Sequence, residues 1–470
     1  MRDEELNKLE NLETREADVA EPTPQVVRGG GTFDSFRYRD YTLFWIGALV
    51  SNTGSWMQNY ALSIVVYSFR QSELDLGLVN FMTGIPVLFL ALAGGEIADR
   101  VDRRKLLIWC QAIMLVQAAA LGLLSNSGHL SSERAMASLA WVAALGLVAG
   151  VMSALTFPAW QALLPDLVPR RSLLNAVALN SAQFQSSRLI GPLAASALVI
   201  AGASMGDIFL VNAATFLFVI AALRAIHPHP ESELAQGGAA TQAAIATRGA
   251  SPGAGPDIAH PATDSSWQRL TAGIRYAREN RVIGVLILST AVMTVFAMPY
   301  MMLLPAVVDK ALGGGKVEVS WVMAANGAGA LVGALMVASL RKSEQRQRLI
   351  PVSMLAMTVF LMGFALSRTL VLTIAFSMLC GAALLVTNSL ANTSIQMTTP
   401  PRLRGRVMAL FIMAFLGIMP ISSLIFGPIG EAIGPTNAVF GGAVVLGLWA
   451  LTLLSRPGLL QSAEEPTLPG

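Results

Sequence analysis

The sequence is poor in charged residues. They make up 13% of its 470 positions, whereas soluble globular domains contain roughly a quarter. Apolar residues account for 54%, and the mean hydropathy is +0.58. This composition excludes an ordinary soluble domain and predicts an integral membrane protein in contact with the lipid bilayer. The net charge of +3 arises from Lys and Arg in short loops, a pattern that excludes nucleic acid as a partner.

Cysteine and histidine are scarce as well. Cys110 and Cys380 are the only two cysteines, and both lie in apolar runs, so the chain has no disulfide framework. The four histidines fall in predicted loops or in a linker and form no cluster with metal-ligand spacing. No set of nucleophile, acid–base group and orienting group emerges from the apolar runs. The sequence therefore indicates neither an enzyme nor a metal or cofactor site.

The first forty residues contain no apolar stretch long enough for a signal peptide. We expect 1–40 to form a disordered cytoplasmic tail and 457–470 to form a cytoplasmic tail at the other end. A stretch rich in Ala, Gly, Pro, Ser and Thr interrupts the middle of the chain. It predicts a cytoplasmic linker at 227–280 that ends in a short amphipathic helix.

Long apolar runs fill the rest of the sequence. A membrane-spanning helix needs about 20 mostly apolar residues, and twelve segments satisfy this length. Six of them lie in 41–226 and six in 281–456. The predicted spans are 42–68, 76–98, 105–125, 138–164, 172–200, 207–226, 281–309, 318–340, 349–367, 370–398, 405–430 and 436–455.

Loop charges predict how these spans are oriented. If both termini are cytoplasmic, most loop Lys and Arg lie on the cytoplasmic side, as the positive-inside rule requires. The halves also repeat, because Gly191-Pro192 in the fifth span is matched by Gly427-Pro428 in the eleventh. The predicted fold is therefore all-α, with twelve transmembrane helices in two pseudo-symmetric six-helix bundles. We expect a multi-pass protein of the cytoplasmic (inner) membrane, with a midplane cavity between the bundles.

Polar side chains recur at helical spacing within some of the spans. An unpaired amide facing lipid would cost on the order of several kcal/mol, so these side chains face protein or water. They either line a substrate cavity or hold helices together. The candidates for substrate binding are Asn52, Trp56, Asn59, Arg188, Asn388 and Asn392.

Charged residues inside the spans are few. Arg188 lies well within the fifth span, where it either attracts an anionic group or is satisfied by carbonyls and neighbouring helices. Glu96 and Glu431 are the candidates for proton coupling. Both lie near a span boundary, where simple hydration would also accommodate them.

A charged hairpin follows the second span and carries a family resemblance. It reads Gly95-x-x-x-Asp99-Arg100-x-Asp102-Arg103-Arg104. This pattern resembles the loop signature of the major facilitator superfamily, with Asp102 where that superfamily usually has glycine. The aspartate, together with the segments Phe36–Trp45 and Pro158–Pro165, resembles the branch of enterobactin exporters and secretion effectors.

The resemblance implies a secondary transporter in which the hairpin forms a latch between the two bundles. The implied latch residues are Gly95, Asp99, Arg100, Arg103 and Arg104. Gly191-Pro192 also matches the start of a signature associated with exporters, although Ala195 and Ser196 replace its later glycines.

Together these features predict a monomeric secondary exporter with no cofactor. It would move a small organic compound, a drug-like amphiphile or a siderophore-like metabolite, out of the cytoplasm in exchange for protons. Two alternatives remain open. One is import of a nutrient by the same fold, and the other is a non-transporting membrane receptor or assembly factor that uses the linker at 227–268.

Overall fold

The computed structural model of the chain describes residues 33–226, 266–339 and 343–460, and all the regular secondary structure of these residues is helical. The first half contains α1 (Arg39–Arg70), α2 (Glu73–Arg100), α3 (Arg103–Asn126), α4 (Ala135–Leu163), α5 (Leu173–Ile200) and α6 (Met205–Ala225). The second half contains α7 (Ser266–Glu279), α8 (Arg281–Phe296), α9 (Pro299–Met302), α10 (Leu304–Leu312), α11 (Lys316–Ser339), α12 (Ser343–Leu366), α13 (Leu370–Thr398), α14 (Pro401–Ile412), α15 (Met419–Ile433) and α16 (Pro435–Ser455). Single turns of 3₁₀-helix cover Asp34–Arg37, Ser132–Arg134, Leu164–Leu167, Arg170–Ser172 and Pro457–Leu459, and a π-helical turn, Met413–Gly417, joins α14 to α15.

Ten helical segments of the described chain are long and apolar enough to cross a membrane. Two helices that the sequence predicts as spans, α1 and α5, are not among them, although they contain 32 and 28 residues. Both are rich in amides and hydroxyls, which lower their hydropathy. The all-helical membrane architecture is confirmed, whereas the count of twelve spans stays a prediction.

Side-chain caps mark the starts of several helices. Asp102 precedes α3, and its Oδ1 accepts a hydrogen bond from the Lys105 backbone N–H at 3.1 Å. Ser204 and Asp207 form a capping box at the start of α6, with reciprocal bonds of 3.0 and 2.9 Å. Such caps satisfy backbone donors that a helix leaves free at its N-terminus. The aspartate that departs from the superfamily pattern thus begins the third helix.

Helix packing brings the two halves together along two seams. Within the first half α2 packs on α4 and α3 packs on α6; within the second, α11 packs on α13 and α12 on α16. Between the halves, α5 contacts α11 and α2 contacts α15. Glycines allow the close approach, because a β-carbon at Gly327 would lie 2.7 Å from the Arg188 backbone, and one at Gly77 would lie 2.5 Å from the Ser423 carbonyl oxygen.

An apolar core runs through both halves. It includes Phe209 in the first half and Leu286 and Phe364 in the second, all fully buried. The segment predicted as an amphipathic helix is helical as α7 and packs against α14, where Gly273 approaches the Arg406 carbonyl. The predicted tails, in 1–32 and 461–470, and the greater part of the predicted linker, 227–265, lie outside the described residues.

Candidate functional site

A cavity of about 840 Å³ lies among the helices of the first half and reaches the second half. Its walls come mainly from α1, α3, α4 and α5, while α11 and α13 close one side through Leu331, Leu335, Leu385 and Ser389. This volume is in the range of ordinary small-molecule sites. The cavity is therefore large enough for a drug-sized compound.

Carboxamides dominate the polar lining of this cavity. The nine that the structure places there are Asn52, Gln58, Asn59, Gln111, Gln117, Gln161, Asn180, Gln183 and Gln185. Aromatic rings of Phe157, Trp160, Phe184 and Phe216 contribute the larger apolar surfaces. Among the described lining residues none carries a charge.

Hydrogen bonds between helices hold part of this lining in place. Asn52 of α1 donates to Gln183 Oε1 of α5 at 3.3 Å, and Gln183 donates in turn to the Ser187 hydroxyl at 3.1 Å. Gln58 of α1 donates to Gln117 Oε1 of α3 at 3.3 Å. It also accepts from Asn212 of α6 at 2.8 Å. The polar stripe of α1 therefore both lines the cavity and joins helices.

Three carboxamide oxygens of the cavity have no hydrogen-bond partner within the described protein. They belong to Gln111, Asn180 and Gln185. Gln111 and Gln185 are only 6% and 8% exposed. A buried polar atom without a partner normally carries an energetic penalty, and these three oxygens are buried away from the open volume of the cavity.

Arg188 lies at the seam between α5 and α11 and is not among the cavity-lining residues. Its Nη2 donates to Asn326 Oδ1, and Asn326 Nδ2 donates to the Tyr300 hydroxyl oxygen. The Trp56 ring centre lies 5.4 Å from the guanidinium carbon, within cation–π range. Of the two roles left open for Arg188, the geometry shows contact with neighbouring helices.

The other substrate-binding candidates are divided. Asn52 and Asn59 line the cavity, whereas Trp56, Asn388 and Asn392 do not. On α13 the lining residues are Leu385 and Ser389. Asn388 Oδ1 is buried and has no partner in the described part of the chain, and Asn392 accepts from Gln396 at 2.9 Å.

At one end of the molecule, a group of residues that we call the far-end cluster joins the halves. Its members are Tyr67, Ser72, Glu73, Asp309, Lys310 and Glu431. Lys310 Nζ lies 2.7 Å from Glu73 Oε1, and the Tyr67 hydroxyl donates to Asp309 Oδ2 at 2.9 Å. Glu431 Oε2 accepts from the Ser72 hydroxyl and from the Glu73 backbone N–H, both at 2.9 Å. Glu73 is fully buried, and its Oε2 has no partner among the residues that the structure describes.

The sequence of the chain matches a known family over nearly its whole length. A family model described as transmembrane secretion effector matches residues 30–247 and 262–465. The chain belongs to this family. Its members sit within the major facilitator superfamily, so the chain is a multi-pass membrane transporter with a small-molecule substrate and is not an enzyme.

Individual relatives agree with the family assignment. The enterobactin exporter EntS of Shigella boydii is 24% identical over 399 residues, which cover 84% of this chain and 86% of that protein. The staphyloferrin A transporter of Staphylococcus aureus is 27% identical over 174 residues, which cover 37% of this chain and 42% of that protein.

Solved transporter structures share the fold. A variant of the nucleoside transporter NupG gives a TM-score of 0.67 at 10% identity, covering 88% of this chain and 99% of that one. A POT family transporter bound to a thioalcohol-conjugated peptide gives 0.64 at 12% identity, covering 90% and 97%. At such low identities the likeness establishes the fold alone.

The hairpin of this secretion-effector chain is described in part. The backbone of α2 is helical to Arg100, while the side chains of 91–100 lie outside the described residues, and with them Gly95, Glu96, Asp99 and Arg100. Arg103 donates to the Ala162 carbonyl at 3.2 Å and pairs with Asp166 at 3.1 Å. Arg104 donates to the carbonyls of Leu223 and Arg224 at 2.5 and 2.7 Å. These partners all belong to the first half. The carbonyls are at the C-terminal ends of α4 and α6, which attract cations, and Asp166 lies in the turn that follows α4.

Reasoning from the sequence missed two parts of the site. The carboxamides of α3, Gln111 and Gln117, sit singly in an apolar run, and a scan for glutamines within spans could have found them. The pair of Glu73 and Lys310 carried no signal, because each residue lies at a span boundary, where charges are common.

Proposed function

We propose that this transporter exports a small organic compound from the cytoplasm by alternating access, in exchange for protons. The observation that supports it most is the cavity, which is lined with amides and receives residues from both halves. The printed names of two relatives, an enterobactin exporter and a staphyloferrin A transporter, favour a siderophore-like metabolite as substrate.

The proposal includes twelve spans in two six-helix bundles. The two seams support it. In one seam α5, the fifth span of the first half, contacts α11, the second span of the second half; in the other, α15, the fifth span of the second half, contacts α2, the second span of the first half. A two-fold relation between halves exchanges these two pairs. The polarity of α1 and α5 fits the same arrangement, since helices that line a cavity need less apolar surface than helices that face lipid.

The conformation is best understood as open to the cytoplasm. Positive loop residues, including Arg103 and Arg104, favour a cytoplasmic hairpin end by the positive-inside rule, and the far-end cluster would then lie outside. The cavity extends to Trp160 and Gln161, close to Ala162, on which Arg103 docks. In this state the outer end is closed, and Arg103 and Arg104 of the latch contact the first half. Asp99 would engage the second half in the opposite state, and Asp99→Asn is expected to abolish flux while leaving the protein in the membrane.

Glu431 is the proposed proton carrier, with Glu96 as the second candidate. The Glu431 carboxylate accepts hydrogen bonds at the N-terminus of α2, and a negative charge is favoured there by the helix dipole. Protonation removes that charge and weakens the hold of α15 on α2. Proton binding would thus favour opening of the outer end.

Metabolite retention tests the proposal. Retained metabolites are measured in cells that lack the protein and in cells that express it. Each cell type is measured with the proton gradient intact and after the gradient has been dissipated. Export predicts a small set of compounds that accumulates in deletion cells and in de-energised cells alike. Equal metabolite pools in all of these cells would refute export. A deletion phenotype that depends on 227–268 and not on Arg188 would favour the receptor or assembly factor.

A further inference from the structure

The helix α7, which directly precedes α8, has one face packed against the protein and an opposite face that is cationic. On the packed face, Gly273 approaches the Arg406 carbonyl of α14, and Ala277 contacts the apolar core. Arg275 and Arg278 are exposed, and their spacing of three residues places them together on the other side of the helix. Packing on α14 therefore holds this cationic face in a fixed position.

These arginines lie at the level where two membrane spans begin. Arg281, also exposed, is the first residue of the apolar segment Arg281–Met302, and Arg278 precedes it by three positions. On α14, the exposed Arg404 is the second residue of the segment Leu403–Ile433. Because α7 runs directly into α8 and packs on α14, both spans begin at the same end of the molecule. The start of an apolar span is the depth at which lipid headgroups lie.

Within the described chain the protein supplies no counter-charge for these groups. The α7 basic patch consists of the exposed arginines at this end that enter no ion pair with a described residue, namely Arg275, Arg278, Arg281 and Arg404. Glu279 is the acidic residue nearest to them in α7, and it is exposed and forms no ion pair in this part of the chain either. Like charges that share a surface repel one another, so the patch favours an anion from outside the protein.

Arginines at the start of the first half are neutralised differently. Arg37 and Arg39 are exposed just before and at the start of α1. Arg37 lies 3.5 Å from Asp34, and Arg39 lies 3.9 Å from Asp40. Carboxylates of the chain thus accompany the arginines that precede the first bundle, whereas those around α7 have none among the described residues.

We propose that the α7 basic patch binds the headgroup of an anionic phospholipid, such as phosphatidylglycerol, in the leaflet at this end of the molecule. Guanidinium groups donate paired hydrogen bonds to phosphate oxygens, and basic side chains at a membrane surface attract anionic lipids. Ile274, half-buried and one helical turn before Arg278, adds the apolar neighbour that interfacial helices present to lipid. The site goes beyond the proposed function, because it does not depend on the substrate, direction or ion coupling of transport.

Lipid titration tests the proposal. The purified full chain in a neutral detergent is titrated with phosphatidylglycerol or phosphatidylcholine of identical acyl chains, and the first bound lipid is counted by mass spectrometry of the intact complex. Phosphatidylglycerol should bind about tenfold more tightly, because its headgroup keeps the negative charge that choline neutralises. Equal affinities would refute the proposal. Loss of the preference when inorganic phosphate is added at constant ionic strength would assign the patch to a free anion and overturn the lipid site.

Paired variants locate the preference. Replacing both Arg275 and Arg278 by Gln should weaken phosphatidylglycerol binding about tenfold and leave phosphatidylcholine binding unchanged, whereas replacing both by Lys should keep the preference. Replacing Arg37 and Arg39 by Gln is the control, which should also keep it, since carboxylates already accompany these two. An unchanged preference in the α7 glutamine pair, or an equal loss in the control pair, would refute the assignment. Loss in the lysine pair would show damage to α7 instead of loss of charge and would refute it as well.

Discussion

At the scale of single residues, each polar atom in the membrane interior needs a hydrogen-bond partner, because little water is available to it there. Arg188 is tolerated because the Asn326 side chain, itself fully buried, accepts a hydrogen bond from the guanidinium and donates another to the Tyr300 hydroxyl. Loss of either partner strands a group in a medium with little water. The stability of the seam therefore depends on the pair and not on the charge alone.

Removing the partner should cost more than removing the charge. Asn326→Leu leaves the guanidinium unpaired and is expected to lower the free energy of unfolding by about 3 kcal/mol, whereas Arg188→Met should lower it by about 1 kcal/mol. The double variant should resemble Arg188→Met. Thermal unfolding in detergent, followed by circular dichroism, measures all three, and simple additivity would contradict the coupling.

Asp102 offers a second test at this scale. Asp102→Ala removes the cap of α3 and should destabilise the chain by about 1 kcal/mol, whereas Asp102→Gly should cost only a few tenths. The Lys105 ammonium, 3.9 Å away and exposed, adds little. The same unfolding measurement compares the two, and equal losses would show that the cap does not matter. A glycine usual in the superfamily is thus a mild substitution here.

At the scale of helices, small residues decide which surfaces meet. The repeated Gly-Pro pairs illustrate this, because their glycines have different neighbours. A β-carbon at Gly191 would lie 2.5 Å from Trp56 Cβ, within the same half, while a β-carbon at Gly427 would lie 3.2 Å from the Gly77 Cα of the other half. Gly191 thus packs α5 against α1 within the first half, whereas Gly427 packs α15 against α2 across the two halves.

The α5–α11 seam can be tested through Gly327. Gly327→Ala places a β-carbon 2.7 Å from the Arg188 backbone and should push the helices apart, at a cost of about 1–3 kcal/mol. Gly441→Ala is the matched control, because Gly441 lies within α16 with nothing within 4 Å of its β-position. That change should be neutral or slightly stabilising. Thermal unfolding reads out both, and equal effects would refute backbone contact at the seam.

At the scale of the whole molecule, the two halves are joined by the seams and by the far-end cluster. The cluster ties residues far apart in the chain, such as Glu73 and Lys310, at one end of the molecule. Alternating access requires such ties to break and re-form as the populations of the two states shift.

Breaking one tie should shift that balance. Glu73→Gln removes the ion pair between halves and is expected to widen the far end, which spin labels on α2 and α10 would report as a longer distance. Asp75→Asn is the control, because Asp75 is as deeply buried but pairs with Arg70 of its own half. Its label distance should match that of the unmodified protein. An unchanged distance in Glu73→Gln would show that the pair does not hold the end closed.

The sequence by itself determined that this protein lies in a lipid bilayer and that its long apolar runs are helices. Hydropathy and loop charge are sufficient for this because they depend only on local composition. It also selected Asn52 and Asn59, since helical spacing places them on one face. It could not decide which way Arg188 turns, nor that Glu73 meets Lys310, because those contacts join residues 138 and 237 positions apart. Only the tertiary structure places α3 and α5 around the same space, so that carboxamides isolated in the sequence line one cavity. Such contacts depend on packing between distant helices, which local patterns do not encode.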